Sequence, residues 1–109
     1  MSSESLPLRS VYAGDAEFGE LIELFVSELP EKVEAIDATL MSRDFRALRT
    51  LAHQLKGAGG GYGFPDITDA SRTLERLAET ADANVQEDLD RLQAAAKDVA
   101  ALCGRATAD

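Results

Sequence analysis

The chain is poor in the residues that build disulfides and metal sites. Its 109 residues include one cysteine, Cys103, one histidine, His53, and no tryptophan. A single cysteine cannot form an intrachain disulfide, and one histidine with one cysteine cannot assemble a structural zinc site. These shortages exclude a disulfide-stapled scaffold and a zinc module. They favour a reducing compartment, with Cys103 as a small buried hydrophobic side chain.

Positive charge is also scarce. The 11 lysines and arginines face 20 aspartates and glutamates, which gives a formal net charge of −9. Nucleic-acid backbones and anionic membranes both select basic surfaces, so neither is an expected partner. No apolar run approaches the roughly 20 residues of a membrane span, and the segment from Met1 to Ser5 lacks the basic and apolar regions of a secretory signal. We therefore expect a soluble, cytoplasmic protein.

Helical periodicity dominates the sequence, and no stretch shows the sustained alternation typical of strands. Apolar residues at three- and four-residue spacing predict a first helix over 15–42, with Asp15 as its N-cap. Pro30 lies inside it and should bend it, because proline removes a backbone hydrogen bond. The apolar pattern keeps its phase across Pro30, which favours one bent helix; two helices broken at Pro30 are the alternative. The stripe consists of Phe18, Leu21, Ile22, Phe25, Leu29, Val33, Ile36 and Leu40.

Three further helices follow with short connections. Asp44 is a good N-cap for the second helix, which runs into a glycine-rich stretch with Gly63 as a candidate C′ residue. Pro65 fits the first turn of the third helix. Asn84, with Glu87 three residues later, predicts a capping box for the fourth helix.

This layout predicts an all-α fold: an antiparallel four-helix bundle with a proline-kinked first helix. The chain has no linker and no internal repeat, so we expect one domain over residues 15–104. Residues 1–14 form a lead-in segment whose apolar residues could cover one end of the bundle. We expect residues 105–109 to be a frayed tail.

The single histidine can be placed geometrically. A helix turns about 100° per residue, so the apolar residues of the second helix fall on the side opposite His53. The residues on the side of His53 are polar, cationic or glycine: Arg46, Arg49, Thr50, Lys56, Gly57 and Gly60. His53 is therefore expected to face solvent, which excludes a buried core imidazole.

Two features of this face point to chemistry at His53. Its neighbours are cationic in an acidic chain, so they offer hydrogen-bond donors to an anion. Gly57, one turn further on, lowers helix propensity without serving the core, and it leaves room for an approach to the ring. A neutral, unhindered imidazole beside cations can act as a nucleophile for phosphorus. On this reasoning alone, an incidental surface histidine remains open.

Other chemistry fits less well. No serine lies on the face of His53 to complete a Ser-His-acid triad. The glycines from Gly57 to Gly63 follow a helix instead of a strand, and they lack the Gly-Lys-Ser/Thr ending of a phosphate loop. They are better interpreted as the end of a helix.

The segment around His53 resembles a known family. His53-Gln-Leu-Lys56-Gly57, followed by Gly63, is similar to the H-x-L-K-G-x5-G signature of histidine-containing phosphotransfer (HPt) domains. The flanking Leu51-Ala52 and Tyr62-Gly63-Phe64 and the downstream Leu74-Glu75 also resemble that family. The resemblance runs from about Phe18 to at least Leu77, and the four-helix layout covers the rest. The run Gly59-Gly60-Gly61 is richer in glycine than in many relatives.

The resemblance implies a role for each matching residue. His53 would accept the phosphoryl group, Lys56 would bind its oxygens, and Gly57 would keep the approach open. Glu75 would bond the far imidazole nitrogen and leave Nε2 free to attack; an unremarkable surface carboxylate is the alternative. Arg49 is an electrostatic helper by position only.

The implied function is that of a phosphocarrier in two-component signalling. A response-regulator receiver domain, or a hybrid histidine kinase, would donate a phosphoryl group from an aspartate to His53, and a second receiver would take it. The chain would be a monomer with no cofactor of its own, because the Mg²⁺ belongs to the receiver, and it would have no autonomous kinase activity. A non-phosphorylated helical adaptor is the alternative. A histidine kinase dimerisation domain fits less well, because it usually has an acidic residue after the histidine and two helices per chain.

Overall fold

Four helices form the body of the protein. The computed structural model describes residues 6–109, so the first part of the predicted lead-in, residues 1–5, lies outside the described residues. The helices are α1 (Gly19–Met41), α2 (Phe45–Gly61), α3 (Pro65–Thr80) and α4 (Gln86–Arg105). They confirm the all-helical bundle that the sequence predicts. The largest fully buried side chains of the core include Phe64, Ile22, Leu29, Ile36, Leu48, Leu55, Ile67, Leu74, Leu92 and Val99.

Helix α1 runs through Pro30 without a break in its helical assignment. The alternative of two helices separated at Pro30 is therefore wrong. The predicted start is also wrong: the Asp15 carboxylate accepts the N–H of Glu17 at 2.9 Å in a turn ahead of the helix. Because Asp15 closes that local turn, α1 begins only at Gly19, with Phe18 at the N-cap and no side-chain cap. Leu21 of the predicted stripe is 47% exposed.

Helix α2 ends in a glycine turn, as predicted. Gly63 has a φ of +84°, in the left-handed region that glycine adopts without strain. The N–H of Phe64 donates to the Gly59 carbonyl at 2.8 Å, and the N–H of Gly63 donates to the Gly60 carbonyl at 3.2 Å. This pair of bonds is a Schellman motif, which satisfies the free carbonyls of the helix end. Pro65 then opens α3 at its first turn, also as predicted.

The start of α4 differs from the prediction. Val85 is the N-cap residue and makes no side-chain capping bond, so the capping box of Asn84 and Glu87 is wrong. The N–H of Asn84 instead donates to a carboxylate oxygen of Asp82 at 2.8 Å. The N–H of Asp82 donates to Asp88 at 2.9 Å. The carboxylates of Asp82 and Asp88 thus accept the backbone N–H groups of the connection between α3 and α4, in place of a capping box.

The two ends of the described chain are paired. Strand β1 (Leu8–Arg9) lies parallel to strand β2 (Ala106–Thr107), with Leu8 opposite Ala106 and Arg9 opposite Thr107. The Arg105 Nε donates to the Leu6 carbonyl at 2.8 Å. The structure therefore differs from the predicted frayed tail over 105–109. Arg105 ends α4, and the next two residues form a strand.

The lead-in is also fastened to the end of α2. Ser10 is buried, and its hydroxyl donates to the Tyr62 carbonyl at 2.6 Å and accepts the N–H of Tyr12 at 3.0 Å. The N–H of Val11 donates to the Gly63 carbonyl at 2.8 Å. These bonds place residues 10–12 directly over the turn between α2 and α3.

Cys103 lies in the core, as the sequence predicts, with 7% of its surface exposed. Burial raises the pKa of its thiol to about 11, so the thiolate that would make it reactive is disfavoured at neutral pH. Across residues 6–109, no helix is both long and apolar enough to traverse a membrane.

Candidate functional site

The orientation of α2 places His53 at the surface. The Asp44 carboxylate caps the helix by accepting the N–H of Ala47 at 3.1 Å, as predicted. The core side of α2 carries its buried residues, which are Leu48, Ala52, Leu55 and Gly59. Because that side is fixed against the core, the opposite side faces outward, and the His53 side chain is 65% exposed. The predicted solvent-facing position of His53 is confirmed.

Glu75 reaches the imidazole from α3. One of its carboxylate oxygens lies 2.6 Å from His53 Nδ1, and the other accepts a hydrogen bond from Lys56 Nζ, also at 2.6 Å. The Glu75 side chain is only 10% exposed. One largely buried carboxylate therefore holds both the histidine and the lysine. The structure places Glu75 against His53 as the resemblance implies, but the Lys56 bond was not anticipated.

The charge on Glu75 is stabilised by these neighbours. The hydrogen bond from Lys56 is the largest influence and lowers the pKa of Glu75, with His53 adding to the effect and burial opposing it. Glu75 is therefore ionised at neutral pH. An ionised carboxylate can only accept a hydrogen bond, so it selects the imidazole tautomer with the proton on Nδ1. In that tautomer the lone pair is on Nε2, which has no hydrogen-bond partner among residues 6–109.

Contacts on both sides of Glu75 hold α3 against α2. Arg49 of α2 forms an ion pair with Glu79 of α3 at 3.0 Å, so Arg49 is not free beside His53. Further along, the Thr68 hydroxyl donates to the Lys56 carbonyl at 2.8 Å. The partners of successive α2 residues lie progressively earlier on α3. These two side-chain links, one on each side of Glu75, thus fix the height at which Glu75 meets His53.

Gly59 allows this close approach of the two helices. A Cβ at Gly59 would lie 3.0 Å from Thr68 Oγ1 and 3.2 Å from Ile67 Cγ2, tighter than ordinary contact. Sequence reasoning treated this glycine only as part of a helix end. Neither Gly59 nor Thr68 carries a motif signal, because their importance depends on which helix packs beside them.

Gly57 lies in open space. A Cβ built at Gly57 would meet nothing within 4 Å. The fold therefore does not require glycine there, and the space directly over Gly57 is clear of side chains. On the other side of the ring, a shallow depression is lined by Arg46, Arg49, Thr50, His53 and Glu75.

This arrangement combines a nucleophile with groups that stabilise charge. No group of three or more histidine, cysteine or acidic side chains suited to a metal ion occurs within residues 6–109. What the site offers is an exposed ring nitrogen, a buried carboxylate on the opposite nitrogen, and cations close by. These are the requirements for a group transfer that depends on positioning and charge stabilisation.

Comparison with protein families gives one match. The family described as the Hpt domain matches residues 20–105, which include all five predicted site residues: Arg49, His53, Lys56, Gly57 and Glu75. The comparisons with curated proteins and with solved structures give no significant match.

Proposed function

The chain belongs to the HPt domain family, and from that premise we propose that it carries a phosphoryl group on His53 between receiver domains. Domains of this family act in histidine phosphotransfer in phosphorelays of two-component signalling. The observation that supports His53 as the acceptor is the 2.6 Å contact between its Nδ1 and Glu75. That contact leaves Nε2, on an exposed ring, as the nucleophilic nitrogen.

The transfer step follows from this geometry. His53 Nε2 attacks the phosphorus of an aspartyl phosphate on the partner, and the bond between phosphorus and the aspartate oxygen breaks. The aspartate leaves as a carboxylate, and the phosphorylated ring carries the positive charge that Glu75 faces across the Nδ1 hydrogen bond. Transfer to a second receiver reverses the step. Mg²⁺ on the receiver supplies charge neutralisation for the phosphoryl oxygens.

The remaining site residues assist this step in different ways. Lys56 keeps Glu75 ionised, and its ammonium, which shares the Glu75 carboxylate with the imidazole, turns toward phosphoryl oxygens when they arrive. Gly57 leaves the approach clear. Arg49, held by Glu79, contributes positive potential at a fixed position.

Several finer features complete the proposal. The chain is a cytoplasmic monomer, and its helices form an antiparallel bundle whose first helix bends at Pro30. It lacks autonomous kinase activity and requires no cofactor of its own. Its partners are receiver domains, alone or as part of a hybrid histidine kinase.

Phosphoryl transfer from a labelled receiver tests the proposal. The purified chain and its His53→Gln variant are each incubated with a receiver domain phosphorylated with ³²P. We expect label on the native chain alone, labile to acid and stable to base as a phosphoramidate is, with both chains equally helical by circular dichroism. Binding of the receiver without label on the native chain would favour the adaptor alternative and contradict the proposal.

A further inference from the structure

The charges of this acidic protein are distributed unevenly. Helix α2 carries three cations, Arg46, Arg49 and Lys56, and no acidic residue, although the net charge of the chain is −9. Helix α3 adds Arg72 and Arg76, both within two turns of Glu75. Helix α3 also carries four acidic residues, Asp66, Asp69, Glu75 and Glu79, so the cationic part of this surface is α2 together with the two arginines of α3.

Most of these cations are already neutralised within the protein. Arg49 pairs with Glu79 at 3.0 Å, Lys56 with Glu75 at 2.6 Å, and Arg72 with Asp69 at 2.9 Å. Arg46 and Arg76 form no ion pair with any of residues 6–109, and both are exposed. Their charges are therefore available to a partner without the loss of an internal contact.

The two unpaired arginines lie on the two helices that meet at His53, one on each helix. Arg46 lies two turns before His53, about 20° from it around α2, and lines the depression that His53 and Glu75 also line. Arg76 directly follows Glu75 on α3, where it is exposed while Glu75 is buried. A partner that docks over His53 meets Arg46 in the shared depression, and it meets Arg76 where the contact extends onto the exposed side of α3.

We propose that Arg46 and Arg76 are docking residues for an acidic protein surface that surrounds the phosphoryl group to be transferred. This inference rests on the proposed function and names the chemistry of the partner: carboxylates next to an aspartyl phosphate. Arginine suits that role because its guanidinium binds carboxylates through two parallel hydrogen bonds. Charges at the rim of an interface act mainly on the rate of association and on its dependence on salt. Arg46 and Arg76 therefore act on binding, and His53 with Glu75 on the transfer itself.

Saturation kinetics of transfer test this division. The rate of label transfer from the phosphorylated receiver is measured against receiver concentration for Arg46→Ala, Arg76→Ala and the double variant, at low and at physiological salt. Lys97→Ala is the matched control, because it removes the same charge from an exposed position on α4 that has no ion pair within residues 6–109.

We expect each arginine variant to raise KM about 3- to 10-fold at low salt, more in the double variant, with the saturating rate unchanged within about 2-fold. The increase should shrink at higher salt because exposed charges are screened. The Lys97→Ala variant should behave as the native chain.

Two results would overturn the docking assignment: arginine variants indistinguishable from Lys97→Ala, or a lower saturating rate with unchanged KM. If the native chain takes up no label, the proposed function fails separately. Titration with unphosphorylated receiver then decides docking alone. Weaker binding by the arginine variants would support it, and binding equal to that of Lys97→Ala would refute it.

Discussion

Two glycines near the end of α2 occupy opposite environments. A Cβ at Gly57 would meet nothing within 4 Å, whereas a Cβ at Gly63 would lie 2.4 Å from Ser10 Oγ and 2.8 Å from Tyr12 Cδ2. Gly63 also has a φ of +84°, and Gly57 lies in regular helix. The fold needs glycine at 63 and does not need it at 57. What distinguishes Gly57 from other open helical glycines is its position one turn from His53, which makes it a candidate for the surface that a partner approaches.

The largest effect is expected at the packed glycine. Gly63→Ala should lower the free energy of unfolding by about 2–4 kcal/mol, since it combines a left-handed backbone with overlap against the lead-in. Urea denaturation measures this loss. Gly61→Ala is the control, because Gly61 lies in the last turn of α2 with open space around it.

Equal stabilities of Gly63→Ala and Gly61→Ala would contradict the packing of the lead-in over this turn. Detachment of the lead-in, detected as faster proteolysis near Ser10, would show where the strain is relieved. If the lead-in detaches, the decrease in the free energy of unfolding should be smaller. It should then approach the contribution of the hydrogen bonds that Ser10 and Val11 make with Tyr62 and Gly63.

An intermediate effect is expected at Glu75, and it should depend on pH. The pKa of Glu75 in the folded chain lies below its ordinary value of 4.5. Its ionised form therefore contributes stability that is complete above that value and is lost as the pH falls through the folded-state pKa. Glu75→Gln should lower the free energy of unfolding by about 1 kcal/mol at pH 7. The decrease is no larger because His53, one of the two partners of Glu75, is largely solvated. The difference should shrink at pH 3.

Denaturation at both pH values checks this prediction, with Glu79→Gln as the control for an exposed pair. If the native chain and Glu75→Gln differ in free energy of unfolding by the same amount at pH 7 and at pH 3, ionised Glu75 is not the source of the difference. Glu75→Gln should also slow transfer. If the amide oxygen accepts from Lys56, its NH₂ donates to Nδ1 and shifts the ring proton to Nε2.

The smallest effect on stability is expected at the open glycine, with the opposite sign. Gly57→Ala should stabilise the bundle by up to about 1 kcal/mol, because alanine favours helix and meets no neighbour. Transfer from a receiver should nevertheless slow if the partner approaches over this position. Gly104→Ala, an equally open glycine on α4, should also stabilise and leave transfer unchanged. Unchanged transfer in both variants would remove Gly57 from the site.

Local patterns were sufficient for most of the helices and for the orientation of His53. Asp44, Gly63 and Pro65 act where the sequence predicts, because each satisfies the backbone of its own helix end. The caps predicted at Asp15 and Asn84 are wrong because aspartate side chains bond the backbone there in local turns. Asp15 accepts the N–H of Glu17 ahead of α1, and Asp82 accepts the N–H of Asn84.

Long-range partners could not be derived in this way. Strands β1 and β2 have two residues each, so they show no periodicity, and they meet only because the folded bundle brings residues 8–9 and 106–107 together. The bonds of Lys56 with Glu75 and of Arg49 with Glu79 likewise depend on the register of α3 against α2. The resemblance to the family predicts Glu75 as the partner of His53, but only the packing of α3 against α2 shows that Glu75 also binds Lys56.

Identifying which His53 nitrogen carries the phosphoryl group tests the central claim most directly. A ¹⁵N-labelled chain, phosphorylated by its receiver, is observed by ¹⁵N and ³¹P NMR, with Glu75→Gln measured alongside. Because Glu75 occupies Nδ1 at 2.6 Å, we predict the proton on Nδ1 before transfer and phosphorus coupled to Nε2 after it. Phosphorus on Nδ1, or on any residue other than His53, would contradict the account.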